Sequence, residues 1–194
     1  MASLTHHLLT MAYNNAWANH RLLKACCQLS QADFVATRTS FFPSIKATLN
    51  HLLTVDWYYV DALERSISQP PPHPQAWTFF EPEEPFETCA ELQREQHQVD
   101  QRLIAVCRTL TDGSLKQPVS IPRSHGIQNE QMSRLLAHLF QHQIHHRGQA
   151  HAMLAGSSVE PPQLDEFFCA DEAALRERDF QELGFSEQEI WGSS

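Results

Sequence analysis

The stretch MSRLLAHLFQHQIHHRGQAHAMLAG, residues 132–156, carries Met132, Leu135, Leu136, Leu139, Ile144, Met153 and Leu154 at helical spacing and stops at Gly156. It also concentrates imidazoles in the run His138-x-x-x-His142-x-x-His145-His146-Arg147-Gly148-Gln149. On a wheel of ~100° per residue with His142 at zero, the apolar residues centre at roughly +80° and His146 lies at about +40°. His138 and His145 fall at about −40° and about −60°, toward the flank. His142 and His146 are thus the better chelate, an i, i+4 pair near the bundle interior that can grip one ion.

Three further long helices are expected upstream. Residues 4–29 carry Leu8, Leu9, Met11, Ala12, Ala16, Leu22, Leu23 and Ala25 without Gly or Pro, and end in the turn composition Ser30-Gln31-Ala32-Asp33. Pro43 follows an apolar pair and opens a second periodic segment over 44–66, with Ile45, Leu49, Leu52, Tyr59 and Leu63 on one stripe. A third segment, 87–110, places Leu92, Val99, Leu103, Val106 and Leu110 on a narrower stripe and stops at Asp112-Gly113. Between the second and third, residues 69–85 hold Pro70, Pro71, Pro72, Pro74, Pro82 and Pro85, which no helix or central strand tolerates. Trp77, Phe79, Phe80 and Phe86 imply that this loop packs on the body. Residues 117–121 alternate before Pro122, and Ser124-His125-Gly126 suits a turn, so a short β-hairpin is expected there.

Four long helices with one or two long connections describe an all-α four-helix bundle, an architecture that builds metal sites from inward-facing side chains. The domain reading is a bundle over 1–168, followed by an acidic C-terminal extension, 169–194, packed on it as small helices.

With 194 residues and 42% apolar content, the chain is large enough for one cored domain. Its net charge of −9 is concentrated at the end, where residues 160–194 hold ten acids against Arg176 and Arg178. The remainder is close to neutral, and neither part offers the basic stripe that nucleic-acid binding needs. No stretch reaches the ~20 apolar residues of a membrane span and no signal core opens the chain, so a cytoplasmic location is expected. Five cysteines, Cys26, Cys27, Cys89, Cys107 and Cys169, make an odd set without a C-x-x-C pair, and reduced thiols are the simpler reading.

A single H-x-x-x-H pair arises readily in a helix by chance, and a metal site needs three or four ligands. His6, His7, His20, His73, His97, His125 and His151 each read as surface residues. His51 lies well inside the second helix, at the edge of its apolar face, and periodicity does not single it out.

Three separated motifs bear on the missing ligand. Tyr13-Asn14-x-x-Trp17-Ala18-Asn19-x-Arg21-Leu22-Leu23, Asn50-His51-Leu52-Leu53-x-x-Asp56 and the histidine run, followed by Glu160-Pro161-Pro162-x-Leu164-Asp165, resemble the DinB family of small helical proteins over about residues 10–168. The resemblance implies a DinB/YfiT-like four-helix bundle, commonly a homodimer. It further implies a metal held by one histidine of the second helix and two of the last, which map onto His51, His142 and His146. Three neutral imidazoles leave a coordination position open on Zn²⁺, Ni²⁺ or Fe²⁺, the pattern of a reactive site. Some members of the family resemble thiol transferases. The expectation is therefore a metal-dependent thiol S-transferase or hydrolase acting on a small-molecule substrate, with a low-molecular-weight thiol as a second cofactor. The alternative is a noncatalytic metal-binding stress-response protein, in which the ion stabilises the bundle.

Around the ligands, Asp56 either orients an imidazole, pairs with Arg147, or belongs to a polar network or the solvent face. Gln149 returns toward the histidine face and is a candidate to support a ligand. Arg147 points about 100° away from His146 and serves packing, a carboxylate or a dimer contact. Gly148 costs ~1 kcal/mol relative to Ala in a helix and suggests close approach by another helix. Tyr13, Asn14 and Trp17 either border the pocket or pack in the core.

Overall fold

A computed structural model describes residues 3–192. Four long helices dominate: α1 (Leu4–Cys26), α3 (Ile45–Ser68), α4 (Cys89–Arg108) and α5 (Met132–Ala155). Shorter helices are α2 (Gln31–Val35), α6 (Ala173–Leu183) and α7 (Glu187–Trp191). No helix among the described residues is long and apolar enough to cross a membrane.

The ends are set by local chemistry. The Ser3, Ser44 and Thr88 side chains accept from the backbone N–H of His6, Ala47 and Glu91, and Glu91 returns a contact to Thr88 N to complete a capping box. Ser30 caps α2 through Asp33 N, so the Ser30–Asp33 composition expected to form a turn instead starts a helical turn and a half. The residue after α3, Gln69, adopts the left-handed conformation (φ 62°) and closes that helix on Arg65 O.

Neighbouring helices form a ring in which α1 packs on α4 and α5, and α3 packs on the same two. The chain directions follow from the contacts. Asn19 and Asn15 meet Asp100 while Tyr13 meets Arg108, so α1 and α4 run antiparallel. Gln96 meets Asp56 and Arg102 meets Glu64, so α3 and α4 run parallel. His51 meets His142 while Tyr59 meets His138, so α3 and α5 run antiparallel. The order is up-down-down-up. Two parallel neighbours must be joined along the bundle's length, about 36 Å for a 24-residue helix, and that is the task of the proline-rich segment 69–88. Its Ala76–Phe80 portion forms a 3-10 turn that lays Phe80 against Tyr58, with ring centroids 5.1 Å apart.

The hairpin joins α4 to α5. Strand β1 (Pro118–Arg123) pairs antiparallel with β2 (Gly126–Gln131) from Pro118↔Gln131 to Arg123↔Gly126, around the two-residue turn Ser124–His125, and Gly126 at the start of β2 has φ 128°. Val119 and Ile121 face the core, and the Tyr58 hydroxyl donates to Pro122 O.

A polar layer crosses the middle of this apolar bundle. Arg147 Nη1 donates to Asn15 Oδ1 and Asn19 Oδ1, both at 2.8 Å. The amides of Asn15 and Asn19 donate in turn to Asp100 Oδ1 at 3.1 and 3.0 Å, and Gln96 Nε2 bridges Asp100 Oδ1 and Asp56 Oδ2 at 3.1 and 2.7 Å. All six residues are buried, and they come from all four long helices. Burial pushes Asp100 up to about 8 and Asp56 up to about 6, against the pull of the amide donors and Arg147. Burial lowers Arg147 to about 10, opposed by the two carboxyls, so the guanidinium stays charged at neutral pH.

Two expectations are corrected at the α1–α5 groove. Ile144, assigned to the apolar face, is exposed, and an added Cβ at Gly148 meets no atom within 4 Å, so no helix approaches there. Both residues line an open groove shared with Met11 and Phe168.

Replacing Arg147 with Met removes the only cation of the polar layer and leaves two asparagine carbonyls without their donor. Breaking one member of a buried charged network costs about 3–5 kcal/mol, so the urea midpoint of Arg147→Met should fall accordingly at unchanged slope.

Candidate metal centre

The three histidines mapped from the motifs converge. His51 lies in the second turn of α3, and His142 and His146 lie one turn apart on the facing, antiparallel α5. Their ring centroids are separated by 5.0 Å (His51–His142), 4.7 Å (His51–His146) and 4.5 Å (His142–His146). One ligand nitrogen from each falls within 4.8 Å of the others, an arrangement that can hold a metal ion. His146 is buried, while His51 and His142 are half-buried.

The donor atoms fit a cation. His51 Nε2 and His142 Nε2 face one another at 3.0 Å. Nitrogens bound to one tetrahedral Zn²⁺ at 2.0–2.1 Å sit ~3.3 Å apart, so little adjustment is needed. Gln149 sets the tautomer of the third ligand. Its Nε2 donates to His145 Nε2 at 3.0 Å, which turns Oε1 toward His146 Nδ1 at 2.8 Å. Nδ1 of His146 therefore carries the proton and Nε2 keeps its lone pair for a metal. Burial, reinforced by the charge of neighbouring imidazoles, lowers His51 from 6.5 to about 4 and His142 to about 3, and burial also lowers His146. All three are neutral ligands at physiological pH.

His138 and His145 are exposed, as their flank positions on the wheel imply. The ring of His138 packs edge-on to Tyr59 at 5.4 Å, and His145 packs edge-on to His146 at 4.8 Å and accepts from Gln149.

Asp56 is placed elsewhere. Its hydrogen bond is to Gln96, within the central polar layer, and none of the three imidazoles is its partner, so the reading of Asp56 as an imidazole-orienting residue is corrected. Of its other readings the buried polar network holds, and Arg147 acts on it through the field instead of by contact. Tyr13 and Trp17 are fully buried core residues.

Two aromatic residues complete the site and were not singled out by motif or periodicity. Phe42 lies 4.4 Å from His51 and 5.5 Å from His146, and Phe41 lies 6.1 Å from His146 while remaining 77% exposed. The available signal was an apolar pair stranded in a polar connection just before Pro43.

A second His-carboxylate group, His20, Asp179 and Glu182, also lies within ligand range. Its carboxylates are already engaged, Asp179 by Arg21 Nε at 2.6 Å and Glu182 by Lys24 Nζ at 2.6 Å, so it is an ion-pair network between α1 and α6.

A family model described as DinB family matches residues 2–182, and the chain belongs to that family. No curated protein matches it.

Two consequences are measurable. Gln149→Leu removes the acceptor that holds the His146 tautomer. Loss of such a partner typically weakens metal affinity 10–100-fold, a change that competition with a chromogenic chelator would resolve, while the fold stays intact because Gln149 lies outside the core. The second concerns pH in metal-free protein. Lowered imidazole pKa values mean that the unfolded chain binds protons the folded chain refuses, so this contribution to stability is lost as pH falls from 6.5 toward about 3. Asp56 and Asp100 act with the opposite sign, costing stability as pH rises from about 4 to about 8. Unfolding midpoints between pH 6.5 and 4 should therefore decline less in the His51→Ala/His142→Ala double variant than in the parent.

Proposed function

We propose that this DinB-family protein is a metal-dependent enzyme in which His51, His142 and His146 hold a divalent cation, Zn²⁺, Ni²⁺ or Fe²⁺, with a coordination position left open to a small-molecule substrate. The observation that carries this reading is the ligand count: among the described residues, no fourth His, Cys, Asp or Glu joins the three imidazoles. Structural zinc sites are closed by four protein ligands, whereas three with an open position is the catalytic pattern.

When bound, such a cation lowers the pKa of a thiol or water in its open position and supplies a nucleophile at neutral pH. The chain's residues prepare the rest. Burial keeps the imidazoles unprotonated, and Gln149 holds His146 with its Nε2 free. Phe42 covers His51 and shields it from water, and exposed Phe41 offers an apolar wall to an incoming electrophile. Within this reading, thiol S-transfer with a low-molecular-weight thiol is preferred to hydrolysis, on the family resemblance.

The test is metal analysis of untagged protein, followed by turnover assays of the metal-loaded form with several thiols and electrophiles. His142→Ala should lose the metal and drop to the metal-free background rate. Full turnover by His142→Ala would sink the mechanism. Metal that raises the melting temperature without turnover of any pair would favour the noncatalytic alternative.

A further inference from the structure

We propose that Cys27 and Cys89 form a reversible dithiol–disulfide site that staples the C-terminal end of α1 to the N-terminal end of α4. The two Sγ atoms lie 2.9 Å apart although the residues are 62 positions apart in sequence. Closing to a disulfide of about 2.04 Å requires less than about 1 Å of movement. This proposal is independent of the metal centre.

The two thiols play different parts. Cys27 caps α1 and is exposed, so it can meet a solute oxidant. Cys89 is buried and opens α4, directly after the Thr88 capping box, and its thiol also reaches Leu23 O at 3.6 Å. The positive end of the α4 dipole and the negative end of the α1 dipole both lie at this pair and oppose one another, so exposure and the contact between the two sulfurs distinguish them. The Cys89 contact lowers the Cys27 thiol pKa, against the effect of burial, and the same contact raises that of Cys89. Cys27 is thus the attacking sulfur and Cys89 the resolving one. The other cysteines lack this arrangement. Cys26 and Cys107 are buried, both pushed by burial up to about 12, and Cys169 is exposed near Glu172.

The oxidant is a low-molecular-weight disulfide, RSSR. The Cys27 thiolate attacks one sulfur of RSSR, forming a Cys27–SR mixed disulfide and releasing RS⁻, which takes up a proton. Cys89 then loses its proton to solvent and attacks Cys27 Sγ, forming the Cys27–Cys89 bond and releasing the second RS⁻. The protein dithiol is oxidised by two electrons, and RSSR is reduced to two RSH. Cys89 lies three residues beyond Phe86, whose backbone N–H and carbonyl are both held by the Asn50 side chain beside His51. The staple therefore ties down the end of the bundle that carries the imidazoles.

Full-length protein is incubated at pH 8 with glutathione disulfide, alkylated with iodoacetamide and digested with trypsin without reduction. The expected product links the peptide 25–38 to the peptide 66–94 and disappears on addition of dithiothreitol. It persists in Cys26→Ser and is lost in Cys27→Ser and in Cys89→Ser. Cross-linking across a separation of this length should raise the melting temperature by on the order of 10 °C. The proposal is overturned if Cys27 accumulates as its glutathione adduct without the link, if the link survives in Cys27→Ser, or if it forms only after unfolding in urea.

Discussion

The buried hydrogen-bonded layer of Arg147, Asn15, Asn19, Asp100, Gln96 and Asp56 is the constraint on which the arrangement of this bundle depends. Apolar stripes alone let helices slide and rotate with little penalty, because one leucine contact substitutes for another. A guanidinium and two carboxyls out of water permit no such exchange, since any slip leaves a charged or amide group without its partner. With one residue or more from each of the four helices, the layer admits a single register. Its charge balance is also internally consistent. Burial raises both carboxyls, which lessens the negative charge set against the one guanidinium.

That register places the metal ligands. Arg147 immediately follows His146, so anchoring its side chain toward α1 and α4 rotates α5 until His146 and His142 face α3. The antiparallel pairing of α3 and α5 then brings His51 level with both, and Tyr59 level with His138. Rotation of α5 by one residue, about 100°, would break the polar layer and disperse the imidazoles together. Stability and the candidate site are therefore coupled through two adjacent residues of one helix.

The acidic C-terminal segment meets α1 through opposite charges. Arg21 binds both Glu166 and Asp179, Lys24 binds Glu182, and Tyr13 donates to Glu189. Beneath these contacts, Phe167 packs against Trp17, and buried Arg176 ties Glu187 to the carbonyls of Glu166 and Cys169. Much of the negative charge concentrated after residue 160 thus answers cations on the first helix.

Much of the fold was legible in the chain itself. Stripes of Leu, Ile, Val and Ala at a 3.6-residue period, with glycine stops and dense prolines, marked four helices and the long connection between two of them, because such patterns act over a few residues. The motif resemblance added His51 to His142 and His146, which the wheel alone did not. Tertiary structure decided the rest: the roles of Asp56 and Arg147, the exposure of Ile144, the open space at Gly148, Phe41 and Phe42 beside the imidazoles, and the meeting of Cys27 with Cys89. Each depends on groups far apart in the chain brought together by packing. A local sequence pattern specifies which face of a helix is buried, but it does not specify what lies opposite.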